Sequence, residues 1–265
     1  MLPKARWPGG RVELVSVPGG ELVVERIGSG PPLLLLHGWT LDRRMWLPQL
    51  PLAGAFTLVG IDRRGFGQST ATADLGAEPD DVLRVADALG YRQFHLLGMS
   101  QGGRVALALA ARASGRLLSL ALQGTALDGV AAADEAVPLA AMTAAASRDD
   151  LPAMRALLRG HELMQAMTAQ GAKLVAEMLD DYDARDLAVP GQGLPAAAAC
   201  IAGLTIPVLA IVGAADTAQR LSNALALADV GAKAVTLPRA GHLCNIDEVD
   251  EYNAALRANS FGAGI

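Results

Sequence analysis

The sequence has few of the residues that crosslink a chain or ligate metals. Only two of its 265 residues are cysteines, Cys200 and Cys244, and nothing around them has metal-ligand spacing. A chain of this length buries a substantial core without crosslinks, so a disulfide is not required. We therefore expect two structural thiols and no metal site.

Charge, aromatic side chains and long apolar runs are also scarce. Charged residues make up 18% of the chain and aromatic residues 4%, whereas hydrophobic residues make up 52%. This composition favours a folded chain over a disordered one. The net charge of −5 argues against nucleic acid or an anionic membrane surface as a partner. No run could span a bilayer and no signal peptide is evident, so we expect a cytoplasmic protein. The sequence predicts no particular oligomeric state.

Patterns typical of strands and helices alternate along most of the chain. The predicted strands are Arg11–Val17, Glu21–Ile27, Pro32–Leu36, Phe56–Ile61, Phe94–Leu97, Leu117–Gln123, Pro207–Val212 and Ala234–Leu237. Helical patterns are Pro79–Leu89, Arg104–Arg112 and Glu248–Arg257. The first two strands predict a hairpin, and the later ones are apolar throughout, as in strands buried on both faces. Alternation of this kind predicts an α/β fold, with a mostly parallel sheet between two layers of helices.

An Ala-, Met- and Leu-rich segment, residues 128–202, interrupts the alternation, and we call it the insertion. Helices are predicted within it at Asp134–Ser147, Asp149–Leu158 and Glu162–Leu179, before a turn-rich stretch at Val189–Gly193. We interpret the insertion as a helical cap, with residues 1–127 and 203–265 forming one α/β core. Its methionines could line an acyl pocket, although ordinary core packing is their commoner role; they are Met142, Met154, Met164, Met167 and Met178.

A Gly-x-Ser-x-Gly pattern, from Gly98 to Gly102, joins a predicted strand to a predicted helix. In a nucleophile elbow the serine occupies a strained turn at this junction, and its hydroxyl stands clear of the sheet. Flanking glycines remove Cβ atoms that would collide where the strand and the helix approach. A serine that only caps the helix is the structural alternative. The flanking strand and helix favour Ser100 as a nucleophile.

A serine nucleophile needs a neighbouring base, and the chain has four histidines. His242 follows the last predicted strand, at the end of the sheet where sites of α/β folds gather. The other three fall in a turn, in a strand and in the insertion; they are His37, His95 and His161. His242 is therefore the candidate base.

The base needs a carboxylate that holds its tautomer. Asp216 follows the strand that precedes His242, and Asp128, after an earlier strand, is the alternative. A helix N-cap is the structural role that Asp216 would otherwise have. The chain order Ser100, Asp216, His242 is that of α/β-hydrolases and differs from the orders of chymotrypsin and subtilisin.

Five motifs in the same order as in known families carry a resemblance over most of the chain. They are His37–Trp39, Asp62–Ser69, Gly98–Gly103, Gly213–Asp216 and Gly241–His242. The chain thus resembles the α/β-hydrolase fold superfamily, in its esterase and lactonase branch, which includes the 3-oxoadipate enol-lactonases.

The resemblance implies a serine hydrolase that cleaves a small carboxylic ester or lactone through an acyl-enzyme on Ser100, without a cofactor. His242 would be the general acid and base, and Asp216 would orient it. The backbone N–H groups of Trp39 and Gln101 would form the oxyanion hole, so the side chain of Gln101 is expected to matter little.

Two other interpretations remain open. The same fold and triad serve C–C bond hydrolysis, perhydrolysis and a lyase reaction in related families, and the Gly98–Ala106 stretch is compatible with that lyase. A member of the fold can also bind a ligand without turning it over. An aspartate at the elbow would indicate haloalkane dehalogenase or epoxide hydrolase chemistry. Ser100 at this position disfavours both. The charged loop Asp62–Arg64 is expected to be loop architecture.

Overall fold

The computed structural model describes residues 6–130, 137–189 and 193–260, and their strands form one sheet of eight. The strands are β1 (Arg11–Val17), β2 (Gly20–Gly28), β3 (Pro32–Leu36), β4 (Thr57–Ile61), β5 (Phe94–Met99), β6 (Leu117–Gln123), β7 (Val208–Gly213) and β8 (Lys233–Leu237). Their order in the sheet is β1-β2-β4-β3-β5-β6-β7-β8. β2 pairs antiparallel with β1 and β4, and every other pairing is parallel. The predicted hairpin and α/β fold class are confirmed.

Helices cover both faces of the sheet. They are α1 (Glu78–Ala88), α2 (Gln101–Ala113), α3 (Leu139–Ala146), α4 (Leu151–Arg159), α5 (Ala169–Asp181), α6 (Ala218–Asp229), α7 (Cys244–Asp247) and α8 (Val249–Ser260). Alternate residues of each strand enter separate cores, because successive side chains point to opposite faces. Leu33 and Leu35 of β3 pack with the α8 side, whereas Leu34 and Leu36 pack with α1 and α2. Parallel strands buried on both faces explain the continuous apolar runs in the sequence.

The insertion is helical, but one predicted helix is wrong. Glu162–Leu179 is divided into a 3₁₀ turn, Glu162–Met164, and α5. The division falls at Thr168, whose backbone is extended. Its side chain accepts a hydrogen bond from the Gly171 N–H and so caps the start of a new helix. Predicted residues 134–136 and 190–192 lie outside the described residues. The 3₁₀ segment Arg43–Gly54 has no counterpart in the sequence prediction, and α6 is the helix after Asp216 to which the prediction gave no bounds.

Two further findings concern the described residues alone. None of their helices is long and apolar enough to cross a membrane. Cys200 and Cys244 are free thiols, and burial raises the pKa of the Cys244 thiol.

Candidate active site

Ser100 lies in a sharp turn between β5 and α2. Its φ of 52° and ψ of −113° fall outside the regions that ordinary residues occupy. Such a conformation costs about 1–3 kcal/mol and persists only where the surrounding structure imposes it. The Ser100 N–H donates to the Gln123 carbonyl at 2.8 Å, which ties the strained residue to β6. The hydroxyl makes no capping bond to α2, so the geometry is that of an elbow.

Glycines allow α2 to pack closely against the ends of β3 and β5. A Cβ on Gly102 would lie 2.5 Å from the Leu36 carbonyl oxygen and 2.6 Å from that of His37. A Cβ on Gly98 would collide with the carbonyl of Gly102. The glycines of the sequence motif are therefore required by the close approach of the backbones.

Asp216 and His242 are in direct contact at the carboxyl end of the sheet. His242 Nδ1 lies 2.9 Å from Asp216 Oδ2, and both side chains are almost fully buried. The Thr217 N–H donates to the other carboxylate oxygen at 2.8 Å. With the proton on Nδ1 directed at the carboxylate, Nε2 of His242 is left to accept a proton.

The alternative acid and the other histidines have different partners. Asp128 pairs with Arg104 at 2.9 Å and accepts from the Ala196 N–H at 2.7 Å. His95 contacts the Ser119 hydroxyl at 2.8 Å, and burial lowers the pKa of His95 to about 4. His161 caps the 3₁₀ turn of the insertion.

His37 supports the turn that follows β3. The Arg63 N–H donates to His37 Nε2 at 3.0 Å, and Nδ1 donates to the Gly38 carbonyl at 2.8 Å. Burial and the neighbouring Arg63 charge lower the pKa of His37 well below its usual range, so the ring is neutral. His37 therefore has a structural role, holding the turn through hydrogen bonds at both ring nitrogens.

The turn Gly38–Trp39 approaches the nucleophile, since a Cβ on Gly38 would lie 3.6 Å from Ser100 Cβ. A cavity of about 170 Å³ opens beside them. It is lined by Gly38, Trp39, Leu41, Met99, Ser100, Gln101, Arg104, Ala126, Val137, Leu163, Met164, Arg220 and His242. The structure therefore brings four predicted site residues to one cavity, with Asp216 directly behind His242.

The methionines of the insertion are mostly core residues. Met142, Met154 and Met178 are buried in the apolar cluster, and Met167 is 58% exposed. Of these five methionines, Met164 alone lines the cavity.

Arg63 contacts Gln101, one predicted oxyanion donor, and the turn that leads to Trp39, the other predicted donor. Its guanidinium donates to the His37 carbonyl at 3.0 Å and to the Gln101 side-chain oxygen at 2.8 Å. Glu78 pairs with the same guanidinium at 2.6 Å, deep in the core. Sequence reasoning treated both Arg63 and the Gln101 side chain as incidental, because a contact across 38 positions leaves no local pattern.

Asp186 of the insertion is bound to Trp39, in the turn that follows β3. Its carboxylate accepts from the Trp39 indole N–H at 2.7 Å and from the Tyr182 hydroxyl at 2.6 Å. Burial raises the pKa of Asp186, whereas the bonds from Tyr182 and Trp39 oppose that rise. The two donors thus offset part of the cost of keeping this partly buried carboxylate charged.

Trp39→Phe tests this link between the insertion and the turn. The variant keeps the backbone N–H and ring packing but leaves a buried carboxylate oxygen without its donor, so the free energy of unfolding should fall by about 1–3 kcal/mol. Adding Asp186→Asn should recover part of the loss, because a neutral amide costs less to bury. Urea unfolding of both variants measures this. Equal stability of Trp39→Phe and the parent would contradict it.

Gly124 has no side chain, and this leaves space for the Asp216–His242 pair. A Cβ on Gly124, which has φ of +50°, would lie 2.8 Å from His242 Cε1 and 3.3 Å from Asp216 Oδ2. Only a glycine fits both the backbone and the space. The sequence contains no signal for this beyond a glycine after a strand.

Gly124→Ala is therefore expected to displace the imidazole and to lower kcat by about 100-fold, the effect of a misplacement near 1 Å. Gly90→Ala is the matched control, because Gly90 also has a positive φ, +77°, but its Cβ would meet nothing within 4 Å. Steady-state kinetics of the two variants separate backbone strain from displacement of His242. Similar kcat values in both would show that the clash is harmless.

The fold and the site geometry described above are those of a known protein family. The chain is a member of the alpha/beta hydrolase fold family, whose model matches residues 31–166. It is 30% identical over 256 residues to the dihydrolipoyllysine-residue acetyltransferase component of the acetoin cleaving system of Cupriavidus necator, covering 89% of this chain and 65% of that protein. It is 26% identical over 238 residues to 3-oxoadipate enol-lactonase 1 of Acinetobacter baylyi, covering 84% and 86%.

Solved structures agree with this membership. The enol-lactonase from Burkholderia xenovorans LB400 superposes with a TM-score of 0.77 at 26% identity, covering 94% of this chain and 100% of that one. The chain covers 37%, 34% and 65% of the lengths of the first three curated relatives, which is less than two thirds in each case. The resemblance to the α/β-hydrolase superfamily is confirmed.

Among the described residues, no cluster of His, Cys, Asp or Glu is suited to hold a metal ion.

Proposed function

We propose that the protein is a serine hydrolase that cleaves a carboxylic ester or lactone through an acyl-enzyme on Ser100. The observation that supports this most strongly is the buried Asp216–His242 hydrogen bond of 2.9 Å, with His242 and the strained Ser100 lining one cavity. A base oriented by a carboxylate beside an elbow serine is the arrangement that activates a hydroxyl for acyl transfer.

In the acylation step, Ser100 Oγ attacks the substrate carbonyl carbon while His242 Nε2 takes the hydroxyl proton. The carbonyl electron pair moves to its oxygen, and the N–H groups of Trp39 and Gln101 stabilise that oxyanion. Preorganised donors of this kind are each worth about 10²–10³ in rate. The bond to the alkoxide then breaks, and His242 returns the proton to the departing oxygen. Asp216 stays ionised and stabilises the imidazolium.

Deacylation repeats the sequence with water as the nucleophile. His242 removes a proton from water, which adds to the acyl carbon, and the tetrahedral intermediate releases Ser100 with its proton restored. In a lactone the alcohol and the acid belong to one molecule, so ring opening precedes release. The similarity to an enol-lactonase supports lactones as candidate substrates alongside open esters.

The cavity favours a compact and largely apolar acyl group. Leu41, Met99, Val137, Leu163 and Met164 contribute apolar walls. Apolar walls with a few convergent polar groups are typical of small-molecule sites. The proposed substrate is a small molecule, and the proposed reaction needs no cofactor. The proposed location of the protein is the cytoplasm.

Partitioning with methanol tests the acyl-enzyme. Two esters that share an acyl group but differ in leaving group are hydrolysed in aqueous methanol, and the ratio of acid to methyl ester is measured. A shared acyl-enzyme predicts one ratio for both, because the leaving group has departed before either nucleophile adds. A ratio that follows the leaving group contradicts the acyl-enzyme. Cleavage of a C–C substrate, with every ester and lactone left intact, would favour the alternative chemistry.

A further inference from the structure

Gln123, the last residue of β6, contacts the backbones of both the nucleophile and the base. Its carbonyl accepts from the Ser100 N–H at 2.8 Å. Its side-chain Nε2 donates to the His242 carbonyl at 3.1 Å. Gln123 is fully buried, so neither bond competes with bulk water. One residue thus joins the elbow to the loop that carries the imidazole, 119 positions away.

The orientation of the Gln123 amide is fixed by its neighbours. The Tyr252 hydroxyl donates to Gln123 Oε1 at 2.7 Å, and Nε2 also donates to Asn245 Oδ1 at 3.0 Å. A flipped amide would set its oxygen against two other acceptors, the His242 carbonyl and Asn245 Oδ1. Tyr252 and Asn245 are themselves fully buried. Every polar atom of the Gln123 side chain is therefore engaged in a single arrangement.

The hydrogen-bond network continues away from the site. Asn245 Nδ2 donates to the Met45 carbonyl at 3.0 Å and to Gln49 Oε1 at 3.1 Å. Gln49 Nε2 in turn donates to the Asn245 carbonyl at 2.9 Å. Gln49 is as buried as Gln123 but contacts neither Ser100 nor His242 through the bonds described. The two glutamines are thus chemically alike, but only Gln123 is hydrogen-bonded to the backbones of Ser100 and His242.

We infer that Gln123 is a positioning residue that sets the spacing between the Ser100 backbone and the His242 backbone. The inference rests on the proposed function, because it concerns the triad of that reaction. Gln123 touches no substrate; it acts by fixing where the hydroxyl and the imidazole meet. Proton transfer from Ser100 to His242 depends on that spacing, whereas substrate binding in the cavity does not. Loss of the residue should therefore lower kcat and leave KM nearly unchanged.

Gln123→Met, which keeps the length and removes the amide, is compared with Gln49→Met. In the control, Asn245 retains its bonds to Met45 and Gln123. We expect Gln123→Met to lower kcat for a p-nitrophenyl ester, and the rate of Ser100 phosphonylation by a fluorophosphonate, by about 30–100-fold. KM should change less than twofold, and Gln49→Met should stay within about threefold of the parent in both rates, since its lost bonds do not reach the triad. Equal losses in both variants, or a folded Gln123→Met with the parental rate, overturn the inference.

Tyr252→Phe keeps the test decisive if Gln123→Met does not fold. It retains the Gln123 amide and removes only the hydroxyl that orients it, so a smaller fall of about 3–10-fold in the phosphonylation rate is expected. An unchanged rate in folded Tyr252→Phe overturns the inference. Failure of the parent protein to be labelled at Ser100 would instead refute the proposed function, so the two failures are distinguishable.

Discussion

Ser100→Ala is expected to lower kcat for ester hydrolysis by about 10⁶, the loss seen when a triad nucleophile is removed. The remaining rate would come from the oxyanion donors and from substrate binding, which the substitution leaves in place. The fold should be kept, because the Ser100 hydroxyl makes no capping bond and the N–H to Gln123 is retained. Steady-state kinetics with a short p-nitrophenyl ester measure the effect.

Ser119→Ala is the matched control for this experiment. Ser119 is a buried serine whose hydroxyl lies 2.8 Å from His95 Nδ1, and this serine–histidine pair lies within the sheet, away from the cavity. Its replacement should leave kcat within about twofold, since it lies outside the catalytic unit. Activity of Ser100→Ala within tenfold of the parent, or equal losses in the two variants, would contradict the assignment of the nucleophile.

Asp216→Asn is expected to lower kcat by about 10⁴. The oxygen of the introduced amide can still accept from the Thr217 N–H, which leaves the amide NH₂ group facing His242 Nδ1. The imidazole would then carry its proton on Nε2. A protonated Nε2 cannot accept the hydroxyl proton of Ser100. The substitution removes the correct tautomer and the stabilising charge while leaving the shape of the site unchanged. Steady-state kinetics with the same ester measure the loss.

Asp128→Asn decides between the two candidate acids. Asp128 is half-exposed and pairs with Arg104, and its bond from the Ala196 N–H stays within the insertion, so its replacement should change kcat less than about threefold. A larger loss in Asp128→Asn than in Asp216→Asn would assign the acid to Asp128.

Much of the fold and the members of the candidate triad could be predicted because each leaves a local pattern. Apolar runs predicted the strands, since strands covered on both faces have no polar side. Ser100, Asp216 and His242 each follow a strand, and the ends of parallel strands meet at one edge of the sheet. Their convergence follows from topology without any knowledge of side-chain contacts.

The residues that hold this site together leave no such pattern. Gln123 is the polar last residue of an apolar strand, and the partners of its side chain are 119 or more positions away. Trp39 and Asp186 are 147 positions apart. Such contacts depend on how the insertion and the loops pack, which is set by the tertiary structure. The predicted helix Glu162–Leu179 is wrong for a different reason: Thr168, which lies within the helical pattern, caps a new helix.

Fluorophosphonate labelling tests the central claim most directly. The parent protein is treated with the probe, residual esterase activity is followed, and the modified peptide is located by mass spectrometry. The account predicts one phosphonyl group per chain, on Ser100, with activity lost in proportion to labelling and no such label in Ser100→Ala. Activity that survives complete labelling of Ser100, or inactivation by a label on another residue, would contradict it.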